Sequence, residues 1–450
     1  MAHTRPQALR SHSTNFGSLE SVPPRFPGQF DGPSTTSDTQ HKANMIFWAI
    51  ISLVLGYLSA VQILRLKRRD ALSKLGFDDR ASFKRMTLQD AFRIQRPLAE
   101  LEFPRTFSIS VFFAILKTYG IPSISGLLAA TGQISSPDSA SKRAADTGIL
   151  IVEAVLNEPG TERNLDAVAR MNFLHDRYRK AGKIKDDDML YTLSLFALEP
   201  IRWTRKFEWR DLIDVELCAM GVYWKSMGDQ MQIPYDLLPS HNSGWQDGLH
   251  FLEELEKWST AYEVEKMLPA DSNNRLAVST INIALTNVPR MFHNLGHHFV
   301  SALLEPRLRI AMKLREPSSY MVIVLEALLA IRKLIVRHLC LPRRESQREL
   351  WFSEKLDPTT GRYHAVHYID RPWYIEPTFQ NRWNLVSWLL WLVGGAIPSQ
   401  AAPDNRPEGY RIPELGPDNM EGKGLGEMNA AKVLLAQQVK RCPFSHRAAG

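Results

Sequence analysis

The chain has 450 residues, a formal net charge of +7, 44% apolar residues and 23% charged residues. This length and composition are those of a globular protein with a large core, and they exclude a disordered or fibrous chain. The basic residues are scattered apart from one short run, and no nucleic-acid-binding module is recognisable, so no nucleic-acid partner is expected. Three distant cysteines, Cys218, Cys340 and Cys442, do not make a disulfide framework and indicate a reducing compartment.

The N-terminal region predicts a tail followed by a membrane anchor. Residues 1–43 are rich in Ser, Thr, Pro, Gly and His and show no periodicity, which is typical of disorder. Residues 45–64, MIFWAIISLVLGYLSAVQIL, carry no charge and are numerous enough to span a bilayer as one helix. A secretory signal peptide fits less well, because this run begins too deep, is too long and has no small-residue cleavage site.

The basic run RLKRRD directly after the anchor predicts the topology. It contains Arg65, Lys67, Arg68 and Arg69, whereas Lys42 is the nearest basic residue before the anchor. By the positive-inside rule, the bulk of the chain then faces the cytosol and the protein is single-pass.

Residues 70–400 predict an all-α domain. Apolar residues recur there at spacings of three and four, strict alternation is scarce, and no strand–helix–strand rhythm or phosphate-binding loop is present. The Trp-rich segment WNLVSWLLWLVGGAIP is too short to span a membrane, and it predicts a buried helix or an in-plane membrane contact. Residues 401–450 return to Pro, Gly, Asn and charge, which predicts an extended C-terminal arm with a frayed end.

His175 is the first candidate for chemistry. On a helix it shares a face with Leu165, Val168 and Met171, so its side chain is predicted to point toward the core. Two interpretations stay open at this point. It is either a hydrogen-bonded core histidine or the axial ligand of a haem iron, which needs one neutral imidazole on a helix beside an apolar slot.

Arg143 and Thr147 lie one helical turn apart, with Asp146 three residues after Arg143. An ordinary surface pair between Arg143 and Asp146 would contribute only a few tenths of a kcal/mol. The functional alternative is a cluster in which a guanidinium, a hydroxyl and a carboxylate face one dry pocket and stabilise negative charge that develops on oxygen.

Glu216 predicts a structural polar network. It shares a helix face with Leu212, Ala219 and Tyr223, and a carboxylate on an apolar face must be paired. The candidate partners are Arg202, Arg205 and Arg210. Structural ion pairing is favoured over a catalytic role.

A rival metal site is offered by the segment FHNLGHH. His293 and His297 are four residues apart, which places two ligands on one helix face. Asn294 stands where a zincin motif has its acid and Gly296 interrupts the helix, so a polar helix face is favoured. If this site binds metal, the enzyme is a non-haem iron or manganese protein that recruits a distant carboxylate.

Several blocks of the sequence resemble the MpaB family of ER-bound oxygenases of filamentous fungi. These blocks are KRAADT, FLHDRY, GKIKDDDMLYTLSLFALEPIRW, FEWRDLIDVELCAMGVYWKSMGD and PTFQNRW. The resemblance covers about residues 45 to 430. It implies an oxidoreductase of the endoplasmic reticulum membrane that uses O2 to cleave a C=C double bond in the farnesyl side chain of an aromatic phthalide, in mycophenolic acid biosynthesis.

The same blocks are more distantly similar to the catalytic domain of the rubber oxygenases, or latex clearing proteins. That similarity implies a globin-like, all-helical fold that binds haem b, with the histidine of FLHDRY, His175, as the axial iron ligand. It also implies a distal role for Arg143 and Thr147, which match the family's Arg-x-x-Lys-Thr motif. Asp146 stands where that motif has lysine, so the capping role of the lysine is not expected and Asp146 becomes a candidate acid–base group.

The favoured hypothesis is therefore a membrane-anchored, haem-dependent oxygenase that acts on a prenylated small molecule. Two alternatives remain: a non-haem metal oxygenase acting on another prenylated metabolite, and a non-catalytic, membrane-tethered binding protein. The sequence suggests no protein partner.

Overall fold

The computed structural model describes residues 35–132, 137–440 and 443–444, and within them the chain is helical. No strand forms in these residues, where only isolated β-bridges occur, such as Tyr363 with Tyr410. The prediction of an all-α fold is therefore confirmed. The α-helices are α1 Thr35–Asp70, α2 Leu88–Pro97, α3 Pro104–Thr118, α4 Pro122–Ala130, α5 Pro137–Leu156, α6 Glu162–Lys180, α7 Asp186–Phe207, α8 Asp214–Gln230, α9 Gly248–Lys266, α10 Asp271–Leu285, α11 His293–Leu303, α12 Pro306–Ala311, α13 Ser319–Leu339, α14 Phe379–Trp383, α15 Leu385–Leu392 and α16 Leu425–Val439.

The chain divides into two units, Met1–Tyr57 and Leu58–Gly450, with the division inside α1. The stretch Thr39–Leu75 is the one described helix that is by itself long and apolar enough to cross a bilayer. It contains the predicted anchor. The helix starts at Thr35, so the last residues assigned to the tail are helical, and the rest of the predicted tail lies outside the described residues.

The core of the second unit is built from pairs of packed helices. Helix α3 packs against α7, α8 packs against both α9 and α2, and α5 packs against α6. The face predicted for α6 is confirmed at Leu165 and Val168, which are buried. Apolar helix faces drive this packing. The faces of α5 and α6 that do not pack against each other line cavities inside the second unit.

The C-terminal region is more ordered than the extended arm predicted for residues 401–450. Leu425–Val439 form α16, which packs against α6. Arg170 on α6 is fully buried, and its guanidinium donates to the carbonyl oxygens of Leu415, Met420 and Lys423 at 2.8–2.9 Å. The prediction of an extended arm was wrong, because amino-acid composition does not show that backbone carbonyls of an irregular segment accept the hydrogen bonds of a buried arginine.

Helices α13 and α15 carry an exposed apolar surface. Of the 21 residues of α13 only Leu325 is buried, and of the eight residues of α15 only Ser387 is buried. The buried-helix alternative for the Trp-rich segment is therefore wrong. The exposed apolar residues on these helices are Tyr320, Ile323, Val324, Leu328, Ile331, Leu334, Ile335, Leu339, Leu385, Val386, Trp388, Leu389, Trp391 and Leu392.

A buried lysine joins α3 to three other helical segments. Lys117 is 3% exposed, and its Nζ lies 3.2 Å from Glu199, 3.0 Å from Glu263 and 3.3 Å from Glu305. Arg202 also pairs with Glu199 at 2.9 Å. Burial alone would raise the pKa of Glu199, but Lys117 and Arg202 lower it below its usual range. The network therefore keeps this carboxylate ionised inside the core.

We expect Lys117→Met to lower the free energy of unfolding at pH 7 by about 3–5 kcal/mol, because it leaves buried carboxylates without their shared cation. The wild-type contribution from Glu199 is present above its unfolded pKa of 4.5 and is lost as the pH falls through the lower folded pKa. In the variant the pKa of Glu199 rises, so the difference from wild type shrinks near pH 4.5. Chemical unfolding of the detergent-solubilised wild type and variant at pH 7 and near pH 4.5 measures this difference in the free energy of unfolding.

Lys313→Met is the matched control. Lys313 pairs with Asp271 at 2.7 Å, but both side chains are exposed. A pair of this kind contributes about 0–1 kcal/mol. An equal loss in the two variants would contradict the role assigned to Lys117.

Candidate active site

The predicted site residues on α5 and α6 meet at one cavity in the second unit. This first cavity has a volume of about 340 Å³, and its wall includes His175, Arg143 and Thr147. Most of the remaining wall is aliphatic and aromatic, with side chains such as Leu150 and Phe196. The helical spacing predicted for these residues is confirmed, since α5 and α6 are continuous through them.

His175 is held as a neutral imidazole at this cavity. Burial, together with the positive charge of Arg143 nearby, lowers its pKa to about 4. Its Nδ1 atom is buried and makes no well-formed side-chain hydrogen bond within the described residues, although the backbone of Met171 lies near enough to the ring to oppose the fall in pKa. The placement of His175 is therefore compatible both with a core histidine that contacts Met171 and with a metal ligand.

Arg143 lies among two phenol groups and a carboxylate. Burial lowers the pKa of its guanidinium, and Tyr119, Tyr178 and Asp146 nearby oppose that shift. The guanidinium still stays protonated at neutral pH. Neither tyrosine is predicted from the sequence. Tyr178 follows His175 at i+3 on the same helix and could have been found from that spacing, whereas Tyr119 directly follows α3 and carries no signal in the sequence.

These residues fit the requirements of a haem ligand set. A b-type haem needs one neutral imidazole that a helix presents to an apolar space. His175 meets both conditions, because its imidazole is neutral and lies in the mostly apolar wall of the first cavity. If a haem is bound there, His175 would hold the iron.

Asp146 is occupied by structural contacts. It is 1% exposed, and its Oδ1 accepts a hydrogen bond from the hydroxyl of Tyr374 at 2.7 Å. Its Oδ2 lies 2.9 Å from Nζ of Lys142 and accepts the backbone N–H of Gly416 at 3.1 Å. Burial raises its pKa despite these partners, which by itself would suit an acid–base group. Because both oxygens already have partners, the contacts favour a structural role for Asp146, which connects the C-terminal segment to α5.

We expect Asp146→Asn to destabilise the protein by about 1–3 kcal/mol, because Lys142, which is 8% exposed, loses its buried carboxylate partner and keeps its hydrogen bond to the carbonyl of Gly416 and its pair with the exposed Asp418. Turnover per correctly folded molecule should change by less than about tenfold. An acid–base group would behave in the opposite way, since its loss costs on the order of 100-fold in rate. Chemical unfolding and steady-state kinetics on the same preparation separate the two roles.

The predicted polar network around Glu216 is confirmed for one arginine and corrected for another. The guanidinium of Arg210 donates two hydrogen bonds, of 2.7 and 2.8 Å, to the carboxylate of Glu216. Glu216 also accepts a hydrogen bond from the backbone N–H of Ile213 at the start of α8. Arg202 instead pairs with Glu199 in the network of Lys117. Arg202 lies one turn from Glu199 on α7 and pairs with it there. Helical spacing alone did not show that Arg202 would pair with Glu199 and not with Glu216.

The rival metal site is not assembled. The Nε2 atoms of His293 and His297 lie 2.8 Å from the carbonyl of Val288 and from Oδ1 of Asn282, respectively. Within the described residues no group of three or more His, Cys, Asp or Glu side chains is placed to hold a metal ion. The pair at i and i+4 therefore makes local hydrogen bonds and lacks the third ligand that a non-haem site requires.

Comparison with known proteins gives close relatives over most of the chain, although no protein-family model matches it. The chain is 41% identical over 397 residues to the protein named ER-bound oxygenase mpaB' of Penicillium brevicompactum, covering 88% of this chain and 94% of the relative. It is 39% identical over 387 residues to ER-bound oxygenase mpaB of the same species, covering 85% and 91%. It is 43% identical over 287 residues to ER-bound oxygenase mpaB of Penicillium roqueforti (strain FM164), covering 63% and 96%.

These relatives confirm the resemblance to the MpaB family, and they set aside the interpretation as a non-catalytic binding protein. With identities of 39–43% that extend over most of each relative, an all-helical fold and one N-terminal helix able to span a membrane, the chain is an oxidoreductase that belongs to the MpaB family of ER-bound oxygenases.

Proposed function

We propose that this oxygenase binds haem b through His175 and cleaves a C=C double bond in the terpenoid side chain of a prenylated aromatic molecule. The observation that carries the proposal is the first cavity, where a neutral imidazole, a guanidinium and a hydroxyl lie in a mostly apolar wall. Family membership favours, as the specific substrate, an aromatic phthalide with a farnesyl chain in mycophenolic acid biosynthesis.

The composition of the cavity wall suits such a substrate. A prenyl chain is aliphatic, and sites for apolar ligands combine a mostly hydrophobic wall with a few placed polar groups. In the first cavity Arg143, Thr147 and His175 are among the polar residues of the wall. The reacting double bond would lie beside them, while the aliphatic wall excludes water from the reaction.

The proposed reaction needs no outside electron donor. One alkene and one O2 give two carbonyl groups: the C=C and O–O bonds break and two C=O bonds form. A haem, when bound, supplies the iron at which dioxygen is activated. Arg143 donates hydrogen bonds where negative charge develops on oxygen, and Thr147 offers a hydroxyl that orients the same atoms.

The location of the enzyme is consistent with an apolar substrate. The family is ER-bound, and α1 is able to span the membrane. We propose that the second unit faces the cytosol, since Lys67, Arg68 and Arg69 close α1 at its C-terminal end. Protease protection in microsomes tests this orientation, and a fully protected second unit would refute it.

Metal and porphyrin content of the purified full-length protein tests the proposed cofactor. We expect about one iron and one porphyrin per chain, a Soret absorption band, and O2 consumption with a prenylated aromatic that yields carbonyl products. Stoichiometric iron or manganese without porphyrin would instead favour a non-haem oxygenase. Absence of any metal from active protein would refute both.

A further inference from the structure

A second cavity adjoins the first along helix α5. Its volume is about 450 Å³, and its wall is again mostly aliphatic and aromatic. Four residues of α5 belong to the walls of both cavities: Arg143, Thr147, Ile151 and Val155. They follow one another at a spacing of four, so they form one stripe along the helix. The two cavities therefore meet at the residues to which the proposed function assigns contact with oxygen.

The two sides of this stripe line different cavities. On one side, Asp146, Leu150 and Ala154 line only the first cavity. On the other side, the residues that line only the second cavity include Ala144, Gly148, Val152 and the larger Ile149 and Leu156. Because Gly148 has no side chain, the helix backbone itself forms part of the wall of the second cavity at this position.

Gly148 is the smallest residue on this side of α5. A Cβ atom built at Gly148 meets no other atom within 4 Å, so the space beside it is open. Its backbone is helical and does not require glycine. A glycine in the middle of a helix lowers helix stability relative to alanine. Neither packing nor backbone conformation requires glycine at this position, and any larger side chain there would project into the open space of the second cavity.

We propose that the second cavity binds the part of the substrate on one side of the reacting double bond, and that Gly148 sets how large that part can be. An internal alkene carries substituents on both carbons, so a site that cleaves it needs room on both sides of the reacting atoms. The stripe with Arg143 and Thr147 lies between two such spaces. This inference rests on the proposed function, because it takes the same reacting centre, and it assigns the second cavity to an apolar chain.

The test uses substitutions of Gly148 in the full-length, membrane-bound enzyme. Gly148→Phe fills the open space, whereas Gly148→Ala adds one methyl group. Gly126→Phe is the matched control, since Gly126 is also a helical glycine with nothing within 4 Å of a built Cβ but lies in neither cavity wall. The substrates are aryl alkenes with a single trisubstituted double bond, in which the saturated arm on either one side or the other is lengthened.

We expect Gly148→Phe to lower kcat/KM by about tenfold or more for substrates lengthened on one side of the double bond, and to leave substrates lengthened on the other side unchanged. Gly148→Ala and Gly126→Phe should leave both series close to wild type. Equal losses in both series, or no loss in either, would overturn the inference. A wild-type enzyme that cleaves none of the alkenes would overturn the proposed function instead, and porphyrin content reports on the folded site in every variant.

Discussion

Replacing His175 with alanine is expected to remove the haem and, with it, the oxygenase activity. Substituting an outer-shell partner of a metal ligand already costs 10–100-fold in metal affinity, so loss of the ligand itself should exceed about 100-fold. The substitution removes a neutral side chain that faces a cavity, so the fold should survive. Porphyrin content, the Soret band and O2 consumption of the purified variant measure the effect.

His293→Ala is the matched control for this prediction, because His293 also lies on a helix and makes only a local contact, with the carbonyl of Val288. It should retain wild-type porphyrin content. Added imidazole should partly restore the Soret band of His175→Ala, since it can occupy the space that the side chain leaves. Wild-type porphyrin content and spectrum in His175→Ala would show that another residue holds the iron.

Arg143→Ala is expected to lower kcat by about 100-fold while porphyrin content stays at the wild-type level. The size follows from the loss of one preorganised donor beside oxygen in a dry site. Arg143→Lys keeps the charge and loses the planar set of donors, so it should recover only part of the rate. Steady-state kinetics normalised to haem content measures the effect.

Arg177→Ala is the control for charge near the first cavity. Arg177 also lies in the wall of that cavity, but it is exposed and donates to the sulfur of Met420. Its removal should change kcat by less than about threefold. If the two alanine variants lost activity equally, the effect would come from the net charge of the cavity and not from a placed donor.

Part of the candidate site could be predicted from local spacing. Helical periodicity places Arg143 and Thr147 on one face of α5 and turns His175 toward the interior of α6, and the structure has both helices and the cavity between them. Such faces are visible in a single sequence because they repeat every three to four residues. Periodicity does not show which helices meet, so Tyr119, at the C-terminal end of α3, could not be predicted.

Contacts between segments that are far apart in the chain could not be predicted from the sequence. The carboxylate of Asp146 is shared by Tyr374 and Gly416, which lie more than two hundred residues further along the chain. Proline inside a helix usually kinks or ends it, yet α7 contains Pro200 and continues to Phe207. Tertiary packing overrides local preference at such positions, and in this protein α7 is held along its length by α3 and α8.

The exposed apolar surface of α13 and α15 has a consequence for handling the protein. Both helices belong to the unit that begins at Leu58, so removing the residues before Leu58 leaves that surface intact. Contiguous apolar patches of this kind drive aggregation in water. A shortened chain without its anchor should therefore still require detergent or lipid to remain monodisperse.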